Sequence, residues 1–261
     1  MMKETVERRD DLINRLRNDG RIRVSEMVSH YGVSSVTIRN DLAYLEKQGI
    51  IYRTRGGAIL KKQLVVEQPV NVKQQANYSS KQAIGKVAAT LVRDDSNIIL
   101  DSGTTTFELA RQLVDRRLLV MTNGLNVARA LSSADEIEVR VTGGTLRKRA
   151  ESFYGPHAED SLKNMHFDQF FLGVDGFDLN TGITTYNEME ARLNRRMCEV
   201  SQEIIAVTDS SKFDRRSVHA ICNITDISRL VTDPGIPDRY RELLEQNHIE
   251  VIIACEGSQK A

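Results

Sequence analysis

The chain has 261 residues, 40% of them hydrophobic and 28% charged, which is enough for a substantial core and excludes collagen, coiled-coil and low-complexity compositions. Lysine plus arginine and aspartate plus glutamate each number 36, a cancellation that taken alone argues against a nucleic-acid partner. The balance is uneven, however: residues 1–63 carry 13 basic and 8 acidic side chains, or +5, and the remainder carries −5.

In chain order, residues 4–18 place Leu12, Ile13 and Leu16 on one helical face, and Gly20 ends that helix. Arg21 to Val24 alternates polar and apolar as a short strand does. Ser25 is placed to cap a second helix that turns Met27 and Val28 inward, and Gly32 supplies a tight turn. Ser34 caps a third helix running to about Gln48, where Gly49 stops it. Residues 50–60 read as a strand, a turn at Arg55-Gly56-Gly57 and a return strand. The polar stretch around Pro69 reads as a linker, giving expected domains of 1–60, a linker over 61–78, and 79–261.

A helix, a Gly turn and a second helix match a helix-turn-helix, whose second helix enters the major groove. Here Ile38, Leu42 and Leu45 share the inward face. The opposite arc carries Val36, Arg39, Asn40, Ala43 and Lys47. Arginine suits guanine, asparagine suits adenine, and valine can touch a thymine methyl. Ser34 and Ser35 suit phosphate contacts at the helix start, and Arg53 and Arg55 flank the hairpin tip as a basic wing. A solvated charged face on a structural module is the plainer alternative.

Beyond a helix expected over residues 79–92, short apolar strands end repeatedly in small polar clusters and alternate with helices. That pattern implies a parallel α/β sheet, with ligands at the carboxyl ends of its strands. The clusters are Asp101-Ser102-Gly103-Thr104-Thr105-Thr106, Asn123-Gly124, Gly143-Gly144, Asp175-Gly176 and Thr208 to Lys212. The first cluster suits a phosphate ester, because free backbone N–H groups, hydroxyls and a helix start favour an anion. It is neither a Walker A loop nor a GxGxxG turn, and an ordinary capped helix after a buried strand is its other reading. Asp175 suits sugar hydroxyls and Lys212 suits phosphate. Glu188 and Glu190 open a later helix; an acidic first turn explains Glu190 more readily than Glu188, so Glu188 joins the ligand set.

The five histidines are scattered and no HExxH occurs, while Cys198, Cys222 and Cys255 form no CxxC. No metal, no cofactor and no disulfide framework is expected, and a reducing compartment is. No apolar run approaches the ~20 residues of a membrane span, and the N-terminus lacks a secretory apolar region. A cytoplasmic protein without a membrane partner is therefore expected.

The run Val33-Ser34-Ser35-Val36-Thr37-Ile38-Arg39-Asn40-Asp41-Leu42, with Leu45 to Gly49 and Arg55-Gly56-Gly57-Ala58, resembles the winged helix-turn-helix of the DeoR family of bacterial repressors. The loops at 101–106, Thr142-Gly143-Gly144, Gly173 to Gly176 and Asp209-Ser210-Ser211-Lys212-Phe213 are similar to that family's sensor domain. Ser152 to Gly155 and Glu190 to Cys198 resemble the branch that represses N-acetylgalactosamine and galactosamine utilisation. The resemblance adds Thr37 to the DNA-facing set. It implies double-stranded operator DNA as one partner and a phosphorylated sugar effector as another, with a homo-oligomer, dimer or tetramer. It also implies a sensor related to ribose-5-phosphate isomerase. The isomerases use an Asp pair, a Lys and a Glu, which Asp175, Asp178 and Glu188 or Glu190 match. Where they carry an early Lys this chain reads Thr181-Gly182-Ile183-Thr184-Thr185. The competing expectation is a sugar-phosphate isomerase or deaminase with an accessory domain.

Overall fold

The computed structural model describes residues 2–48, 50–60 and 69–255. The chain divides into two compact units, Met1–Val65 and Val66–Ala261.

The first unit contains α1 (Met2–Asp19), β1 (Arg21–Arg23), α2 (Val24–Tyr31), α3 (Ser35–Lys47), β2 (Ile51–Thr54) and β3 (Gly57–Leu60). The strands form an antiparallel sheet in the order β1-β3-β2. Gly32 ends α2 in the left-handed conformation at φ 64°. Ser34 Oγ then accepts the Thr37 N–H at 3.1 Å and starts α3. Ser25 does not cap α2, because that helix begins one residue earlier behind an extended Arg23. Leu12, Leu16, Ile22, Met27, Ile38, Leu42, Leu45 and Ile51 form the core. Gly57 is required by close approach: a Cβ there would lie 2.0 Å from the Ile22 carbonyl oxygen.

The second unit contains α4 (Val70–Gln75), α5 (Tyr78–Ala89), β4 (Asn97–Leu100), α6 (Thr104–Ala110), β5 (Leu118–Thr122), α7 (Leu125–Leu131) and β6 (Ile137–Val141). There follow β7 (Thr145–Arg147), β8 (Ser152–Tyr154), α8 (Pro156–Asp160), β9 (Phe167–Gly173), β10 (Gly176–Asp178), β11 (Gly182–Thr185) and α9 (Glu188–Glu199). The last elements are β12 (Ser201–Val207), β13 (His219–Cys222), β14 (Arg229–Thr232), α10 (Asp238–Gln246) and β15 (Glu250–Ile253).

Seven strands form the expected parallel sheet, in the order β15-β14-β12-β9-β4-β5-β6. Strand side chains alternate between its two faces. Phe170 and Leu172 of β9 join one core with Ile99, Leu193 and Met197. Phe171 joins the other with Ile98, Leu100, Val120 and Ile205. From β4 the chain builds outward through β5 and β6, then returns through β9 to the opposite side. The order therefore reverses between β4 and β9, where open α/β sheets bind ligands. Two small antiparallel sheets, β7-β8 and β10-β11-β13, carry loops the alternating pattern does not announce.

The expected linker differs from the structure in its second half. Residues 61–68 lie outside the described residues, but Val70–Gln75 is helical and α5 already starts at Tyr78. No side chain of α4 is buried, so it shows no apolar periodicity. Polar contacts hold it instead: the Val70 N–H donates to the Arg149 carbonyl at 3.0 Å, and Lys73 reaches Asp175.

Candidate functional site

In the first unit α3 buries Ile38, Asp41, Leu42 and Leu45. The other side of the helix faces water. Ser34, Ser35, Arg39, Asn40 and Lys47 are exposed, Val36 is 61% exposed, and Thr37 is half-buried. Arg39, Asn40 and Arg55 make no side-chain hydrogen bond or ion pair among the described residues. Arg53 is engaged, with its backbone N–H on Glu46 Oε1 at 3.2 Å and its guanidinium 3.9 Å from Oε2, which ties the β2–β3 wing to α3. Asp41 holds α3 from behind, accepting Arg8 Nε at 2.7 Å and Arg9 Nε at 2.8 Å.

In the second unit a cavity opens at the reversal point. Asp101, Ser102, Gly103, Thr104, Thr105, Asp175 and Lys212 all line it, so three separate strand ends meet there. Asp101 continues β4, and its Oδ1 accepts the Ser102 N–H at 2.7 Å. Lys212 ends a short helical turn that Asp209 caps at the Ser211 N–H, 3.1 Å. Phe213, stacked on Phe177 at 5.3 Å between ring centroids, anchors that turn to the core.

Other expected residues stand behind the cavity or away from it. Thr106 is fully buried and donates to the carbonyls of Asp101 at 2.7 Å and Gly103 at 2.8 Å, so it braces the loop. Asn123 is also buried, with its amide 3.5 Å from Ser102 Oγ. Gly124 passes so close to the loop that a Cβ would lie 2.8 Å from Ser102 Cα. Gly143 and Gly144 do not line the cavity; they turn the chain toward β7, with Gly144 packed against the Tyr154 carbonyl. Glu188 points to solvent, and Glu190, one half-turn on, faces the cavity instead. Asp178 is occupied within its own hairpin, accepting the N–H groups of Asn180 and Thr181, both at 3.0 Å.

The structure adds Lys73, Lys81, Arg147, Glu190 and Asn194 to the cavity wall. Lys73 Nζ donates to Asp175 Oδ1 at 2.6 Å. Lys81 is 3% exposed and donates to the carbonyls of Lys73 and Ala76 at the end of α4. The periodicity carries a signal for Lys81, since it shares a helical face with Ile84, Gly85 and Ala88, all buried. Arg147 Nη1 lies 2.6 Å from Glu190 Oε1, which also accepts Ser152 Oγ at 2.7 Å.

Four cations and three carboxylates thus share one pocket, and burial competes with charged neighbours in shifting several of them. Burial pushes Asp101 up to about 7, helped by the neighbouring Glu190 and Asp175 carboxylates against the Ser102 N–H. Burial brings Lys81 down to about 8 despite Asp209. Lys212 is also lowered by burial, against the pull of Asp175 and Asp209. For Asp175 burial acts in the opposite sense, but Lys73 and Lys212 outweigh it and hold the carboxyl below its ordinary value. Near neutral pH the pocket therefore carries more positive than negative charge, although its unit is acidic. Among the described residues no cluster of His, Cys, Asp and Glu is arranged to hold a metal, and no helix is long and apolar enough to cross a membrane.

Residues 8–64 match the family profile of a DeoR-like helix-turn-helix domain, and residues 76–234 match that of the DeoR C-terminal sensor domain. A putative aga operon transcriptional repressor of Escherichia coli O157:H7 is 50% identical over 97% of this chain and 95% of its own. An uncharacterised helix-turn-helix transcriptional regulator of Bacillus subtilis, YulB, is 37% identical over 94% of this chain and 95% of its own. Among solved structures, ribose 5-phosphate isomerase A of Methanocaldococcus jannaschii overlays with a TM-score of 0.40 and 17% identity, covering 53% of this chain and 55% of that one. That overlay is too partial to bear on function.

Proposed function

The chain belongs to the DeoR family of transcriptional repressors, and on that premise we propose that a phosphorylated sugar bound in the second unit releases the first from its operator. Its relatives are named as transcriptional regulators, which makes it a DNA-binding regulator of sugar operons and not an enzyme. The likeness to the aga operon repressor supports an N-acetylgalactosamine or galactosamine operon as the target.

The exposed arc of α3 supports base reading by Arg39 and Asn40, with Ser34, Ser35 and the wing arginines on phosphates. Two or more copies would grip repeated half-sites in the cytoplasm, where the DNA is. The observation that carries the effector reading is the cavity. Lys73, Lys81, Lys212 and Arg147 face it together with the Ser102–Thr105 loop, a set suited to a phosphate ester. Asp101, Asp175 and Glu190 supply acceptors for sugar hydroxyls. The ligand lowers operator affinity only by as much as it prefers the DNA-free state.

Fluorescence anisotropy with DNA from the chain's own promoter, titrated with hexose, ketose and amino-sugar phosphates and their unphosphorylated parents, tests this. At least one phosphate ester should release the DNA, and its parent sugar should not. Release by free sugars with no response to any phosphate would refute it.

A further inference from the structure

α9 presents Glu190 and Asn194 to the cavity one turn apart. Ala191, Leu193 and Met197 of the same helix pack into the core and fix its rotation. Glu190 is already committed on Oε1 to Ser152 and Arg147. Asn194 differs: it is only 5% exposed, and its Oδ1 is enclosed without a hydrogen-bond partner. Buried side-chain oxygens are nearly always paired, and an unpaired one is costly. Here the residue that carries the unpaired acceptor lines a cavity walled by charged and polar groups.

We propose that Asn194 is a specificity-determining residue, whose amide oxygen accepts a hydrogen bond from an O–H or N–H of the bound sugar phosphate. This rests on the sugar-phosphate reading above. The lysines and Arg147 recognise the phosphate, which every phosphate ester carries, so they do not tell one sugar from another. Among the described residues, Asn194 is the side-chain amide of the wall whose oxygen is enclosed and unsatisfied. A ligand with a donor in the right place satisfies it, and one without leaves it unpaired. Sites built to bond a substrate hydroxyl or amine reject the analogue lacking it far more strongly than apolar pockets reject a missing methylene.

Calorimetric titration of the full-length protein with glucose 6-phosphate, galactose 6-phosphate, their 2-amino forms, 2-deoxyglucose 6-phosphate and inorganic phosphate tests the proposal. Wild-type affinities for the sugar phosphates should spread over about tenfold or more. Asn194→Ala should compress that spread to about twofold while inorganic phosphate binds as before. Asn194→Asp keeps the shape and adds a negative charge, so it should favour the amino forms over their hydroxyl parents and distinguish the two donor types. Lys212→Ala should weaken every phosphate alike. An unchanged spread in both Asn194 variants overturns the proposal, and so does a loss in Asn194→Ala that extends equally to inorganic phosphate. If sugar phosphates bind the wild type without discrimination, the proposal fails and the sugar-phosphate reading stands. If none binds, that reading fails first.

Discussion

Replacing Asp41 by alanine tests how the DNA-facing helix is held. Asp41 lies between exposed Asn40 and buried Leu42 on α3, with its carboxylate turned toward α1. It accepts Arg8 and Arg9 on separate oxygens at 2.7 and 2.8 Å, and its side chain is 3% exposed. Arg9 also stacks over the Tyr44 ring at 3.9 Å from its centroid, so the same arginine grips α3 twice. Removing one member of a buried ion pair costs about 3–5 kcal/mol, because the partner charge is left uncompensated. Both arginines retain some water contact, which lowers the expected loss to about 2–4 kcal/mol. Hydrogen exchange of the full chain, followed by mass spectrometry, reads this locally. Exchange of the slowest α1 and α3 amides should accelerate roughly 30- to 1000-fold, at about 1.4 kcal/mol per tenfold. Amides of the seven-stranded sheet should be unaffected, and Asp41→Asn should fall in between. If α3 exchange were unchanged in Asp41→Ala, the two arginine contacts would not be what seats the helix.

Gly57→Ala drives a Cβ into the Ile22 carbonyl, so β1 and β3 must separate; a cost of about 1–3 kcal/mol and early melting of the wing should appear in the same exchange measurement. Arg39→Ala should weaken operator binding by about 1–3 kcal/mol and relax preference at one base position, read by mobility shift against a substituted operator series. Asp101 titrates near 7 when folded and at 3.8 otherwise. Between those values the folded state keeps a proton that the unfolded chain loses, so the stability from the neutral carboxyl is complete at low pH and is lost as pH rises through 7. Asp101→Asn should flatten that decline in urea unfolding curves taken from pH 4 to 8, and should be the more stable protein at pH 8. Raising salt should reduce operator affinity steeply and phosphate binding in the cavity only slightly, because screening acts on exposed charges.

The parallel sheet and the wing were legible because each rests on short-range rules. A Gly turn followed by Ser34 marks α3, and apolar runs ending in polar clusters mark β4, β9 and β12, whose ends carry Asp101, Asp175 and Lys212. The same rule overreached at Gly143-Gly144, because β6 is the edge strand, two places away from the β4–β9 reversal, and its end does not reach the cavity. Lys73 escaped because α4 buries nothing and so leaves no apolar rhythm to read. Arg147 comes from β7, an element of three residues with no alternation. Glu188 and Glu190 differ by two positions on a helix, about 200° apart, so only the packing of Ala191 and Met197 decides which one faces inward.

On the proposed function, the two units attract phosphate by different electrostatics. The first relies on exposed arginines and an excess of positive charge, which suits a long polyanion met from solution. The second carries an excess of negative charge, yet it assembles four cations where strand ends meet. Those cations are not idle without ligand: Lys73 is paired with Asp175, and Lys81 holds the carbonyl end of α4. A phosphate entering the pocket must therefore compete with internal partners. The contacts of those two lysines hold α4, which has no buried side chain of its own. α4 begins five residues beyond Val65, the last residue of the DNA-binding unit. The element those lysines hold is also the described element that follows the first unit most closely in sequence, so on the proposed reading a ligand that prefers the DNA-free state would act through a short stretch of chain.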